Sequence, residues 1–226
     1  VASRGENLSA GQRQRIGLAR AFFGNRKIVV LDEPNANLDP DGEKALAKAV
    51  ADATAQGRVV IIITHRTSIL RRVSHVAMMN EGQLVRFGPA QEVLADPQIT
   101  PLGPGAAGAM LEAKVVAHHS DGLSELSAGS SRLLIPHVPC DPGQTLRVLV
   151  EAQDVMLAKT RPEGISALNV LAATIRDVRI GDGPGAMVQL DAGGNLMLAR
   201  VTRRSVDALA LAPGQEIFAI LKAVSV

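Results

Sequence analysis

In the first part of the chain, short apolar runs alternate with a longer segment of helical periodicity. The runs Lys27–Asp32 (KIVVLD) and Val59–Thr64 (VVIIIT) show no alternation of apolar and polar residues, a pattern typical of strands covered on both faces. Between them, Asp41–Gln56 carries one apolar stripe at helical spacing, so the order strand, helix, strand predicts a parallel βαβ unit. A later pair of apolar runs flanks Glu81-Gly82, a dipeptide that favours a hairpin turn.

The pattern changes after a segment rich in Pro, Gly and Ala (DPQITPLGPGAAG). Beyond this segment, short apolar stretches are separated by Gly and Pro turns, and one or two helical turns are expected around Ser205–Leu211. Many short strands at regular spacing predict a small β-barrel. We therefore expect three parts: an α/β domain over residues 1–95, a linker over residues 96–108 and an all-β barrel over residues 109–226.

Composition and charge exclude several classes of protein. Hydrophobic residues make up 46% and charged residues 20% of the chain, which is compatible with packed domains. The net charge of +2 and the absence of Trp and Tyr provide neither a basic patch nor stacking platforms, so we expect no nucleic-acid partner. Cys140 is the single cysteine and cannot form an internal disulfide. Apolar runs such as Val59–Ile63 are too short to cross a bilayer.

The segment LSAGQ, residues 8–12, precedes a basic helix and has the residues of an anion site. Ser9 and Gln12 have the spacing of a capping box, which marks the start of a helix. Gly11 allows the backbone to come close to a ligand, and the unpaired N–H groups of a helix start attract phosphate. Because capping boxes are common, an ordinary capped helix is an equally good interpretation at this point.

The apolar run IVVLDEP ends in two adjacent carboxylates, Asp32 and Glu33. Neighbouring side chains on a strand point to opposite sides, so we expect the two acids to have different roles. One could hold Mg²⁺ through water, while the other could orient or deprotonate an attacking water. His65 follows the second apolar run, at the sheet edge where α/β proteins usually bind ligands. A structural role for this histidine stays open.

These motifs, together with NANLD (35–39) and ITH (63–65), occur in the order and spacing of the nucleotide-binding domain of ABC transporters. Residues 5–94 resemble that domain, and their sequence is most similar to the ATPases of type I secretion exporters. The resemblance implies a partial P-loop NTPase fold that uses ATP and Mg²⁺. It also implies a role for each matching residue. Ser9, Gly11 and Gln12 belong to the signature motif, and Asp39 is the D-loop aspartate. Asp32 is the magnesium ligand, Glu33 the catalytic glutamate and His65 the switch histidine.

One motif of the family has no match in this chain. A P-loop has the pattern G-x-x-x-x-G-K-[ST], whose backbone N–H groups and lysine hold the phosphates. No Gly-Lys dipeptide occurs in the sequence, and the chain begins with Val instead of Met. We therefore expect the chain to bind ATP weakly or not at all by itself. A truncated gene product or an incomplete sequence is the corresponding hypothesis, and enzymatic activity of this chain alone stays open.

Residues 108–226, and most clearly the stretch from Thr160 to Val226, resemble the molybdenum-pterin-binding (TOBE) domain. This OB-like barrel ends the ATPase subunit of molybdate importers. The resemblance implies an oxyanion site in which molybdate is held by small polar groups and one lysine. The matching positions are Ser166, Asn169, Thr202, Ser205 and Lys222. A regulatory barrel or a dimer contact without a bound oxyanion stays open as well, because Ala167 stands where the oxyanion-binding barrels usually have an arginine.

Together the two resemblances imply the ATP-binding subunit of an ABC transporter, with molybdate import as the favoured function. Such a subunit pairs with a second copy and with transmembrane permease subunits. It lies at the cytoplasmic face of the bacterial inner membrane as a peripheral protein. The alternatives are a fragment of a type I secretion-like exporter ATPase and a non-enzymatic oxyanion-binding or regulatory module.

Overall fold

The computed structural model of the chain describes residues 8–65, 67–97 and 108–223. It divides into two compact units, Val1–Arg72 and Val73–Val226, and each unit is described by itself. Most of the linker predicted over residues 96–108 lies outside the described residues, and the predicted domain boundaries stay a prediction. No helix among the described residues is long and apolar enough to cross a membrane.

The first unit contains a parallel βαβ arrangement, as the hydrophobic pattern predicted. Strands β1 and β2 pair in parallel, from Ile28 opposite Val59 to Asp32 opposite Ile63. Helix α2 connects them and starts with Pro at its first position and Asp39 as its cap, residues that favour a helix start. In chain order the elements are α1 (Ala10–Phe22), β1 (Ile28–Asp32), α2 (Pro40–Ala55), β2 (Val59–Ile63) and a 3-10 helix (Thr67–Arg72).

The prediction that β1 and β2 are covered on both faces is wrong for the described residues. Val29 and Leu31 are 3% and 4% exposed and form a core with Leu46 of α2. Val30 is 57% exposed, and neighbouring side chains on the same face, such as Ile28 and Ile61, are also exposed. Every position from Ile28 to Leu31 and from Val59 to Ile63 is apolar, but the described helices of this unit cover only the face that carries Val29 and Leu31.

The second unit begins with a hairpin and a short helix. Strands β3 (His75–Asn80) and β4 (Gln83–Pro89) pair antiparallel, which confirms the predicted hairpin. Its turn residues Glu81 and Gly82 both have positive φ, 47° and 76°, as a type I′ turn requires. Helix α3 (Ala90–Leu94) follows, and Gln189 donates a hydrogen bond of 2.7 Å to the carbonyl oxygen of Ala95 directly after it.

The rest of the second unit consists of two antiparallel sheets, which confirms the all-β prediction for this part of the chain. One sheet has the strand order β7-β6-β5-β8 and the other β12-β11-β10-β13-β9. Leu126 and Leu133 of the first sheet and Ile175, Leu190 and Leu221 of the second are fully buried in one shared core. The elements are β5 (Gly108–His118), β6 (Leu123–Ala128), β7 (Ser131–Pro136), β8 (Thr145–Glu151), a 3-10 helix (Ala152–Asp154), β9 (Met156–Ala158), β10 (Asn169–Ile180), β11 (Gly185–Ala192), β12 (Asn195–Thr202), α4 (Arg203–Leu209) and β13 (Glu216–Leu221).

Candidate functional site

Helix α1 begins with the predicted capping box. The Ser9 hydroxyl accepts a hydrogen bond of 3.2 Å from the backbone N–H of Gln12, and the Gln12 side chain accepts one of 2.9 Å from the N–H of Ser9. The remaining N–H groups of the first turn have no partner within the helix. They are therefore available to an anion at the positive end of the helix dipole.

A cavity of about 390 Å³ lies at this helix start, so the structure brings the predicted signature residues and Asp39 together. Asn37 and Arg15 also line this cavity, and the Arg15 guanidinium forms an ion pair with the Asp39 carboxylate. The cavity is lined by Ser9, Gly11, Gln12, Arg15, Asn37 and Asp39.

Asp39 also caps helix α2. Its carboxylate accepts a hydrogen bond of 2.8 Å from the backbone N–H of Gly42. That bond, followed by the hydrogen bond from Arg15, lowers the pKa of Asp39. A Cβ atom at position 42 would lie 2.9 Å from the Asp39 carboxylate, so glycine allows this close approach. The ionised Asp39 therefore connects the start of α2 to α1.

Glu33 lies just beyond the end of β1 and not on the strand. Its φ is +43°, a left-handed conformation that costs a residue with a Cβ about 1–2 kcal/mol. The expectation that Asp32 and Glu33 alternate as strand neighbours is therefore wrong, because β1 ends at Asp32. The turn instead directs the Glu33 carboxylate to the end of β2. There it accepts hydrogen bonds from the backbone N–H of His65 at 3.1 Å and the Thr64 hydroxyl at 3.3 Å.

The His65 ring completes the contacts of the Glu33 carboxylate. Its Nδ1 atom lies 2.8 Å from Glu33 Oε1. This hydrogen bond is the main cause that lowers the pKa of Glu33, while partial desolvation acts in the opposite direction. Glu33 is therefore ionised at neutral pH and can accept hydrogen bonds, but the contact with His65 makes it a weaker base.

Asp32 has the surroundings that a magnesium ligand needs. It is exposed at the end of β1, and no residue that the structure describes forms a hydrogen bond or an ion pair with its carboxylate. The described residues contain no group of three His, Cys, Asp or Glu that could hold a metal by themselves. Mg²⁺ usually takes one or two carboxylates and completes its shell with water and phosphate oxygens, so a single carboxylate fits this ion.

The barrel residue Asn169 makes two contacts within the fold. It is 2% exposed. Its side-chain oxygen accepts a hydrogen bond of 2.7 Å from the N–H of Leu134, and its amide nitrogen donates one of 2.9 Å to the Leu134 carbonyl oxygen. The side chain thus connects β10 to β7, the edge strand of the other sheet. Asn169 pairs with Leu221 in the sheet, so Lys222 follows at the same end of β10.

Thr202 and Ser205 lie at the other end of the same sheet. The Thr202 hydroxyl caps α4 by accepting a hydrogen bond of 3.0 Å from the N–H of Ser205, and the two hydroxyl oxygens are 2.8 Å apart. Thr202 is opposite Gly185 at the start of β11, which pairs with the end of β10. The structure therefore places Asn169 and Lys222 at one end of β10 and Thr202 and Ser205 at the other, while Ser166 lies in the loop just before β10.

A cavity of about 550 Å³ lies beside Asn169, and no sequence motif predicts it. Arg132 and Arg161 line it, together with Glu125 and His119. Glu125 is 3.1 Å from the Arg132 guanidinium and 3.3 Å from the His119 ring. Because these residues come from separate strands and a loop, no local motif connects them in the sequence.

Comparison with known families gives two matches. Residues 165–226 match the family model described as the TOBE domain, and residues 1–36 match the one described as the ABC transporter. Each match falls on a segment that the sequence motifs had already related to the same family.

Comparison with characterised proteins covers nearly the whole chain. The molybdenum import ATP-binding protein ModC of Rhizobium meliloti (strain 1021) is 38% identical over 224 residues, which are 96% of this chain and 62% of that protein. ModC 1 of Azotobacter vinelandii is 35% identical over 223 residues, with the same coverage of 96% and 62%. The chain is similar to molybdenum import ATP-binding proteins. It spans 62% of the length of these two relatives.

A solved structure gives a more distant match. The cytoplasmic molybdate-binding protein ModG, in a form with molybdate bound, is 24% identical. The alignment covers 51% of this chain and 91% of that chain, with a TM-score of 0.46.

Proposed function

We propose that the chain is part of the ATP-binding subunit of an ABC transporter that imports molybdate. The observation that carries the ATPase proposal is the Glu33 carboxylate, held by His65 and Thr64 directly after the strand that ends in Asp32. The substrate class is supported by the names of the relatives, which are molybdenum import ATP-binding proteins. Because the chain spans only part of their length, activity, substrate and partners are proposals for the whole protein.

The chemistry follows from the positions of three residues. Glu33, whose pKa is lowered by its contact with His65, would accept a hydrogen bond from the attacking water and orient it. Asp32 would hold Mg²⁺, which supplies charge neutralisation at the phosphates when it is bound. The start of α1 at Ser9 would face the γ-phosphate of an ATP bound to the other subunit. The phosphate-binding loop would come from outside these 226 residues, because they contain no Gly-Lys dipeptide.

The proposed partners follow from this arrangement. A second copy of the ATP-binding subunit would place its own nucleotide against the cavity at Ser9, Gly11 and Gln12. Transmembrane permease subunits would bind the pair, which would then lie at the cytoplasmic face of the bacterial inner membrane as a peripheral protein.

The ATPase proposal is tested by the substitution Glu33→Gln in the protein assembled with its permease. Glutamine keeps the size of the side chain but removes its negative charge, so we expect ATP turnover to fall about 100-fold or more. Binding of ATP and closure of the pair should persist. The matched control is Glu92→Gln on α3, an exposed acid, which should leave turnover unchanged. Unchanged turnover in Glu33→Gln would reject this residue as the key acid.

The oxyanion proposal for the barrel needs a separate measurement. Calorimetry with molybdate, tungstate and sulfate measures binding directly, and a dianion is best held by several short donors and one cation. We expect molybdate and tungstate to bind and Lys222→Met to weaken that binding. If none of the three anions binds, the barrel has no oxyanion site and a regulatory or dimer-contact role is favoured.

Two other functions are compatible with part of the chain. A non-enzymatic oxyanion-binding or regulatory module is favoured by the missing Gly-Lys dipeptide, and ATP hydrolysis by the assembled protein would exclude it. An exporter of the type I secretion kind is supported only by the similarity of the sequence around α1 to the ATPases of such exporters. Transport assays with inverted membrane vesicles would separate export from import, because the two directions give opposite substrate gradients.

A further inference from the structure

Gln14 of α1 makes two contacts with the loop that follows β1. Its amide nitrogen donates a hydrogen bond of 2.8 Å to the backbone carbonyl oxygen of Glu33. Its side-chain oxygen accepts one of 3.0 Å from the Asn37 side chain. The side chain is half-buried, so one residue of the helix contacts both ends of the turn that places Glu33.

The backbone of Glu33 needs such support because it adopts a strained conformation. Its φ of +43° is unfavourable for any residue with a Cβ. The carbonyl oxygen of Glu33 also accepts a hydrogen bond of 3.2 Å from the N–H of Ala36. The bond from Gln14 is shorter and comes from helix α1. It therefore fixes the direction of the Glu33 carbonyl group from outside the turn.

The first turn of α1 also packs closely against the same loop. A Cβ atom at Gly11 would lie 2.9 Å from the carbonyl oxygen of Asn37. Gly11 and Gln14 are one helical turn apart and lie on the same side of the helix. The capping residue Ser9 belongs to this turn as well. A displacement of the helix start would therefore be transmitted to the Glu33 turn through two separate contacts.

The geometry points to Gln14 as a positioning residue that holds the Glu33 backbone in its left-handed conformation and connects it to the start of α1. This inference deepens the proposed function, since it concerns the same site. In a pair of subunits, the start of α1 would contact the partner's ATP, while Glu33 would act on the ATP of its own subunit. Gln14 would thus connect the two nucleotide sites within one chain.

Two substitutions separate the contacts of Gln14. Gln14→Met keeps the length and volume of the side chain but removes both hydrogen bonds. Gln14→Glu keeps an acceptor for Asn37 but places a carboxylate oxygen against the Glu33 carbonyl oxygen. The matched control is Gln83→Met, the same change at an exposed position of β4. Thermal unfolding of all three variants verifies that they are folded.

The first measurement requires no ATPase activity. In the 226-residue chain, a strong intraresidue NOE between the amide proton and Hα of Glu33 reports positive φ, because that conformation brings the two protons together. We expect this NOE to be strong in the unsubstituted chain and in Gln83→Met, and weaker in both Gln14 variants. An unchanged Glu33 signal in both Gln14 variants would overturn the inference.

The second measurement is steady-state ATP hydrolysis by the complete subunit assembled with its permease. We expect Gln14→Met to lower kcat about tenfold or more with KM for ATP within about twofold, because a small misplacement of a reacting group slows chemistry more than binding. An equal loss in Gln83→Met, or a change confined to KM, would contradict the positioning role. If the unsubstituted assembly hydrolyses no ATP while the Glu33 NOE depends on Gln14, the proposed function fails and the positioning role stands.

Discussion

The contact between Asn169 and Leu134 predicts a large loss of stability when the asparagine side chain is removed. Asn169 is 2% exposed and connects β10 to the edge strand of the other sheet through both of its amide atoms. Asn169→Ala removes two hydrogen bonds, each of which contributes about 0.5–1.5 kcal/mol. It also leaves the N–H and C=O of Leu134 with poorer partners, which adds about 1 kcal/mol. The expected loss is therefore about 2–4 kcal/mol.

Thermal unfolding followed by circular dichroism measures this loss. For a unit of about 150 residues, each kcal/mol shifts Tm by about 2–4 °C, so the expected decrease for the second unit is about 5–15 °C. The control Asn25→Ala changes an exposed loop residue and should lie within about 0.5 kcal/mol of the unsubstituted chain. An Asn169→Ala variant as stable as this control would refute the contribution of the two bonds.

Asn169→Asp tests the same contact through pH. The ionised carboxylate would keep the acceptor for the Leu134 N–H but would place a second oxygen against the Leu134 carbonyl. Burial and this repulsion should raise the pKa of the introduced carboxyl in the folded state. Its protonated form donates to the carbonyl and restores both bonds. Relative to the unsubstituted chain, the variant should therefore be least impaired below about pH 4 and lose stability as pH rises through the raised pKa.

Three further substitutions give clear expectations from the structure. Gly11→Ala should destabilise the first unit, because the new Cβ would lie 2.9 Å from a backbone oxygen. Gly17→Ala should stabilise the same unit by about 0.5–1 kcal/mol, because its Cβ would meet no atom within 4 Å. Urea unfolding compares the two variants. Burial, followed by the nearby Glu151, raises the pKa of Asp154. The ionised form therefore destabilises the folded state, and Asp154→Asn should raise Tm at pH 7 with a gain that shrinks towards acid pH.

The candidate nucleotide site could be predicted in large part because its determinants are local. The capping box needs only Ser9 and Gln12 three residues apart, and hydrophobic pattern was sufficient for the pairing of β1 with β2. The direction of the Glu33 carboxylate could not be predicted in this way. It depends on a left-handed backbone that the sequence does not favour, and that conformation is supported by Gln14 from a separate element.

The barrel was harder to interpret because its determinants are distant in sequence. Asn169 and Leu134 are 35 residues apart. The residue type at neither position indicates that the Asn169 side chain will bond to the backbone of Leu134 in the place of a neighbouring strand. The hydrophobic pattern predicted the strands, but it carries no information about which strand edge lies beside which side chain.

The two groups of predicted oxyanion residues differ in what the fold already requires of them. Thr202 and Ser205 satisfy each other and the start of α4, and Asn169 holds the two sheets together. Ser166 and Lys222 are exposed, and no hydrogen bond with a described residue involves their side chains. Side chains that form no hydrogen bond can be reoriented towards a ligand at little cost in stability, whereas hydrogen-bonded groups must first break existing bonds. Among the five positions, Ser166 and Lys222 are therefore the ones most available to an oxyanion, at the end of the sheet where β10 begins.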